Sequence, residues 1–316
     1  MPLEAGNIKT GHNSVRTPTN SQLRRRIRVA MPLLAGVLIV CSTVSISHAL
    51  SGYLASGHAT TTDVVGVPMG STSTFTCFLS GVSGNLNVGT QPGFGCGTKG
   101  LESIAEVTEK HPSTGQYWLI AHGGACISNV NLQVWDNNPV QGMGTCFPTA
   151  DNVKEGYWQQ GPPVKVAALN APNNKVRRCF LSGIWGISGA WNSSNRFAKV
   201  RKVTAADSTH SSTGWYVEAN LPMSADGSHP RVEARCVDFP QGTDITVDTT
   251  SLQSTTKTHT IASGGGVKAC ALMGIKGAFN VNSTSDGVVM NFPASATGNW
   301  TLTVTGGKTA TWACAK

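Results

Sequence analysis

Cys179-Phe180-Leu181-Ser182-Gly183-Ile184-Trp185-Gly186 is the stretch that decides how this chain is read. Its pattern, C-x-L-x-G-[V/I]-x-G, occurs twice more: Cys77-Phe78-Leu79-Ser80-Gly81-Val82-Ser83-Gly84 and Cys270-Ala271-Leu272-Met273-Gly274-Ile275-Lys276-Gly277. Each copy is followed by Thr-Gly-x-aromatic, at Thr114–Tyr117, Thr213–Tyr216 and Thr297–Trp300. Each then closes on a cysteine within an apolar stretch: Cys146, Cys236 and Cys314. Three matches in one order mark an internal repeat.

Working outward from the middle copy, strands are expected at Cys179–Ile184, Phe197–Val203, Trp215–Leu221 and Arg231–Phe239, with Ser, Asn, Asp and Gly filling the turns. Further strands are expected before the openings, at Asp63–Val67, Val164–Leu169 and Thr258–Ile261, and the polar stretch Thr249–Thr258 reads as a loop. Glycines inside the opening strands, such as Gly81 and Gly183, point to a bulge or a close backbone approach. The fold expectation is all-β: three homologous antiparallel units, each of small-sandwich or closed-sheet type and each closed by a disulfide, in tandem or around a pseudo-threefold axis. The expected divisions are a leader at 1–49 and units at 50–150, 151–242 and 243–316.

The cysteines set a geometric condition. Symmetry pairs Cys77 with Cys146, Cys179 with Cys236 and Cys270 with Cys314, leaving Cys96 and Cys126 for each other. The outer strands of a flat four-stranded meander lie about 14 Å apart, three spacings of roughly 4.8 Å. A disulfide spans at most about 7 Å between Cα atoms. First and last strands of each unit must therefore be neighbours or face each other. No CxxC and no Cys/His cluster with zinc spacing occurs, so no metal is expected, and no cofactor motif is present.

The amino terminus carries Arg24, Arg25, Arg26 and Arg28, then nineteen uncharged residues from Val29 to Ser47, then Ser47-His48-Ala49. This reads as a secretory signal with a long basic leader, cut after Ala49, which leaves no stable membrane insertion and addresses the chain to the extracellular space or the periplasm. Eight cysteines beyond that point suit an oxidising compartment. The leader holds six basic residues and one acid, so it supplies +5 of the formal +8 and leaves about +3 for the rest. A nucleic-acid partner is not expected from so small an excess. The basic cluster Lys175, Arg177, Arg178, Arg196, Lys199, Arg201 and Lys202 reads first as a solvated strand face and second as a site for an anionic ligand.

Composition excludes other classes. Charged residues are 13% and Gly is 36 of 316, which rules out a long-helix or coiled-coil chain. Apolar residues at 40%, with eight Trp, rule out charge-driven disorder. No G-x-S-x-G elbow, HExxH, EF-hand loop or phosphate-cradling loop is present. His122-Gly123-Gly124 reads as a turn, and Asp207/His210 and Asp226/His229 are i,i+3 pairs in loop-like sequence. Tyr117, Tyr216 and Trp300 recur at one repeat position and read as core. Trp135, Trp158, Trp185 and Trp191 do not recur, which makes them candidates for stacking on a sugar ring or a protein partner. The functional expectation is an exported, non-catalytic protein that binds a glycan or cell-surface component. The alternatives are a secreted hydrolase with its site in one unit and a structural matrix or coat component.

Overall fold

The computed structural model describes residues 53–57, 66–87, 102–108, 115–127, 132–134, 139–148, 154–223, 229–250, 256–262, 269–293 and 298–315. The leader, Cys96, Trp135 and Asp226 lie outside the described residues, as does the side chain of Cys126, so the signal peptide and the Cys96–Cys126 pairing are not addressed by it.

The described chain is built of strands, without helix. The first unit holds β1 (Tyr53–Gly57), β2 (Gly66–Ser71), β3 (Thr76–Gly84), β4 (Glu102–Thr108), β5 (Gln116–Ile127), β6 (Leu132–Val134) and β7 (Val140–Phe147). The second holds β8 (Lys154–Trp158), β9 (Val164–Ala167), β10 (Val176–Gly186), β11 (Phe197–Val203), β12 (Gly214–Ala219) and β13 (Arg231–Phe239). The third holds β14 (Ile245–Thr249), β15 (Lys257–Ala262), β16 (Ala269–Lys276), β17 (Gly287–Asn291), β18 (Trp300–Val304) and β19 (Thr309–Ala315).

These strands form three antiparallel sheets. Sheet A runs β1-β7-β3-β17-β18-β15, sheet B runs β8-β13-β10-β4-β5-β2 with β6 beyond β5, and sheet C runs β14-β19-β16-β11-β12-β9. The three orders have one pattern. Each opening strand (β3, β10, β16) has its own unit's closing strand on one side and a strand of another unit on the other. Unit one thus places β1, β3 and β7 in sheet A but β2, β4 and β5 in sheet B; units two and three divide in the same way, and unit three returns its share to sheet A. The exchange is cyclic, and the three opening strands pack against one another where the sheets meet.

The cysteine condition is met by adjacency. Cys77 faces Cys146, Cys179 faces Cys236 and Cys270 faces Cys314 in register, with Cα–Cα separations of 4.0, 3.9 and 4.0 Å. Each opening strand also carries a register shift at one place, between Leu79 and Gly81, Leu181 and Gly183, and Leu272 and Gly274. The glycine after the shift lies where the other unit's strand crosses. A Cβ at Gly81 would stand 3.1 Å from Val288 O and Val289 Cα, and one at Gly274 would stand 2.8 Å from Lys199 Cβ. Bulge and close approach thus fall on the same residue.

The opening strands are buried on both faces, β3 at every position, so they read as continuous small and apolar runs rather than alternating ones. Between sheets A and B, Phe78, Phe147, Phe180 and Phe239 pack ring to ring at 4.8 to 5.5 Å. Sheet C has Ala271 and Ala315 beside its disulfide instead. Beyond the second glycine of each motif, Leu86, Trp191 and Phe279 are fully buried and their segments are linked: Leu86 N donates to Phe279 O, Phe279 N to Trp191 O (2.9 Å each), and Trp191 N to Asn87 Oδ1 (3.3 Å).

Candidate functional site

Pairing register lays a row of residues across sheet B: Glu106 on β4, Gly183 on β10, Glu233 on β13 and Tyr157 on β8. Side chains two residues apart on a strand share a face, so Trp185 stands beside Gly183 and Arg231 beside Glu233. Gly183 leaves the space over β10 open, and the two glutamates reach into it from either side. A Cβ on Gly183 would meet Glu106 Cγ at 3.1 Å and Glu233 Cγ and Oε2 at 3.2 Å.

The polar groups are held in place. Trp185 Nε1 donates to Glu106 Oε2 at 3.1 Å, and Arg231 NH2 donates to Glu233 Oε1 at 2.6 Å. The Arg231 guanidinium lies 4.2 Å from the centroid of Tyr157 and 5.3 Å from that of Trp185, within cation–π range of both. Tyr157 is 49% exposed. One strand position along, Arg235 is buried; it pairs with Glu155 and donates from NH1 to Cys77 O at 2.7 Å, across to sheet A. Burial pushes the Glu233 carboxyl up to about 7, the neighbouring Glu106 adds to the rise, and Arg231 and Arg235 offset part of it. A cleft of about 670 Å³ opens here, lined among others by Tyr157, Lys165, Arg231 and Glu233.

The same backbone position is furnished differently elsewhere. Gly81 lies between Val289 and Met143 in sheet A, and Gly274 between Lys199 and Thr311 in sheet C. The carboxyl pair is a departure from the repeat.

Of the tryptophans singled out from sequence, Trp185 lies in this site, half-buried. Trp158 is 3% exposed, with Nε1 donating to Gly161 O at 3.0 Å. Trp191 is sealed against Phe279, ring centroids 5.3 Å apart. Neither offers a stacking face, since core packing claims both rings. The sequence reading missed Tyr157, Arg231, Glu106 and Glu233. Glu106 belongs to unit one and the others to unit two, and no spacing along the chain announces a pair formed across that boundary.

Two of the histidines are held in different ways. His210 is buried, its Nδ1 2.8 Å from Asp207 Oδ1 and its Nε2 3.5 Å from Glu218 Oε2. The backbone N–H and hydroxyl of Thr209 and the N–H of His210 also converge on Asp207 Oδ1, and these hydrogen bonds hold its carboxyl below the usual range. This is a loop staple, an Asx-type turn closed by an imidazole. His122, expected in a turn, instead sits in β5, buried, with Nδ1 lacking a partner; desolvation lowers it to about 4.

Among the described residues there is no group of three or more His, Cys, Asp or Glu placed to hold a metal ion, and no helix is long and apolar enough to cross a membrane. No protein-family model matches the chain, and no curated protein matches it.

Proposed function

We propose that this is an exported, non-catalytic protein that binds a glycan or another cell-surface component through the Tyr157–Arg231–Trp185 face of sheet B. The observation that carries the reading is Tyr157, half exposed at the cleft with its ring backed by an arginine that is itself pinned by Glu233. A rigid aromatic face beside charged hydrogen-bonding groups suits the alternating apolar and hydroxyl surfaces of a sugar. Export is supported by the basic leader and by three intramolecular disulfides, which persist in oxidising compartments. A glycan array and retention on intact cell surfaces test it. Tyr157→Ala should weaken retention about tenfold, the worth of one stacking contact. Equal retention by Tyr157→Ala, Trp185→Ala and the parent chain would refute the reading.

One observation favours the hydrolase alternative. A carboxyl raised to about 7 beside a second carboxyl is the division of labour that acid–base cleavage of a glycosidic bond uses. In that reading Glu233 is the acid and Glu106 the base, and the site spans two units rather than one. Turnover of chromogenic glycosides that disappears in both Glu233→Gln and Glu106→Gln would establish it. Binding without turnover establishes the first reading.

A further inference from the structure

Members of the basic cluster read from the sequence have different surroundings. Arg177 is neutralised within the protein, its Nε and NH2 each 2.6 Å from an oxygen of buried Asp238. Lys199 Nζ lies 3.1 Å from Glu218 Oε1, and Arg201 NH2 lies 3.7 Å from Asp207 Oδ2. Lys175, Arg178 and Lys202 line one pocket of about 460 Å³ together with Arg177, Asn170 and Asn174. None of the residues described as lining it is acidic.

Local structure explains the convergence. Pro172–Lys175 is a tight turn: Asn173 and Asn174 have φ of 56° and 57°, and Lys175 N donates to Pro172 O at 3.1 Å. Two successive left-handed residues define the primed turn, and Asn tolerates that region. The turn carries the chain from β9 of sheet C to β10 of sheet B and sets Lys175 at the pocket. Lys202, on β11 of sheet C, faces Trp215 in register. Arg178, on sheet B, lies 5.9 Å from the centroid of Trp215, so both cations neighbour that residue. Lys202 is exposed and has no ion pair among the described residues.

Arg178 supplies the second observation. Its NH1 donates to Arg177 O at 2.8 Å, but its Nε is buried without a hydrogen-bond partner. Burial also lowers its guanidinium from the ordinary value. A desolvated guanidinium is costly, and an oxyanion beside it offsets that cost through its charge. The pocket is of the size that holds whole small ligands, far larger than a lone oxyanion needs. The neutral amides of Asn170 and Asn174 suit hydroxyl groups around the charge.

We propose that this pocket is an anion site for a sulfate or phosphate ester carried on a sugar-sized, polyhydroxylated ligand, with Lys175, Arg178 and Lys202 around the charged group. It shares no lining residue with the sheet B cleft and stands whether or not that cleft binds anything.

The test is calorimetric titration of the full chain at constant ionic strength with glucose 6-phosphate, glucose 6-sulfate, glucose, inorganic phosphate and chloride. Saturable binding of at least one sugar ester, tighter than inorganic phosphate and absent for glucose and chloride, is expected. Lys202→Gln, an exposed change that leaves the core intact, should weaken it about tenfold, as loss of one charge-assisted contact does. Lys257→Gln, an exposed lysine on β15, should leave it unchanged. The proposal is overturned if neither ester saturates, if inorganic phosphate binds as tightly as the better ester, or if Lys202→Gln and Lys257→Gln behave alike.

Discussion

Gly81 and Gly183 occupy the same place in two sheets, after the same register shift and beside the same kind of disulfide. Around Gly81 the neighbours are Val289 and Met143; around Gly183 they are Glu106 and Glu233. The frame is common and the chemistry is local. In the first sheet the gap left by glycine admits backbone, and in the second it admits two carboxylates. Sheets of one strand pattern can hold that pattern constant while one takes on a carboxyl pair at a position that sheet A fills with Val289 and Met143.

The comparison can be broken or sharpened by measurement. The largest effect is expected from the disulfides. They close 69, 57 and 44 residues, and loop entropy assigns each about 4 kcal/mol with only tenths separating them. Paired Cys→Ala changes at each bridge, followed by urea unfolding, should give similar losses. A much smaller loss at Cys270/Cys314 would show that sheet C, with Ala271 where the others have Phe78 and Phe180, does not share the frame.

Next come two titrations of opposite sign. His122 is depressed from 6.5 to about 4 in the folded chain. The unfolded chain takes the proton first, so stability falls as pH drops from 6.5 toward 4, by about 3 kcal/mol. Glu233 is raised from 4.5 to about 7. Its contribution is fully present below 4.5 and is lost as pH rises through 7, by up to about 3 kcal/mol. Denaturation across pH 4 to 8 should therefore flatten at the acid side in His122→Gln and at the neutral side in Glu233→Gln. Parallel curves for Glu233→Gln and the parent would remove the carboxyl pair from the account of sheet B.

A smaller effect distinguishes the glycines. Gly81→Ala meets backbone at 3.1 Å, whereas Gly183→Ala meets glutamate side chains that can move aside. Overpacking of the first kind costs roughly 1–3 kcal/mol, and the second should cost less than half as much. The smallest is Trp185→Phe, which keeps an aromatic ring and removes the hydrogen bond to Glu106, worth about 1 kcal/mol by thermal unfolding.

Much of this frame was legible in the sequence because its determinants are local. The C-x-L-x-G run marks the opening strands, and Phe197–Val203 and Arg231–Phe239 are strands with those same ends. The three disulfides followed from their order, and Gly183 announced a bulge. What was not legible is nonlocal. β8 and β14 are edge strands with little buried side chain, so they carry no apolar alternation and went unread. The exchange of strands between units leaves no mark on any one segment, and Glu106 met Glu233 only through it. The tryptophans misled for a related reason. Trp158 and Trp191 break the repeat pattern, yet they do so by filling space, which a sequence cannot tell from offering a surface.

The cyclic exchange of strands has a consequence for how the protein comes into being. Sheet A joins β1, β3 and β7 to β15, β17 and β18, so its earliest-made part waits for the last third of the chain. Pairings so distant along the polypeptide are slow to form and leave edges uncovered meanwhile. A chain cut short after the second unit would keep every strand of sheet B but only half of sheet A and half of sheet C, so of the three sheets only the one that carries the carboxyl pair can form early.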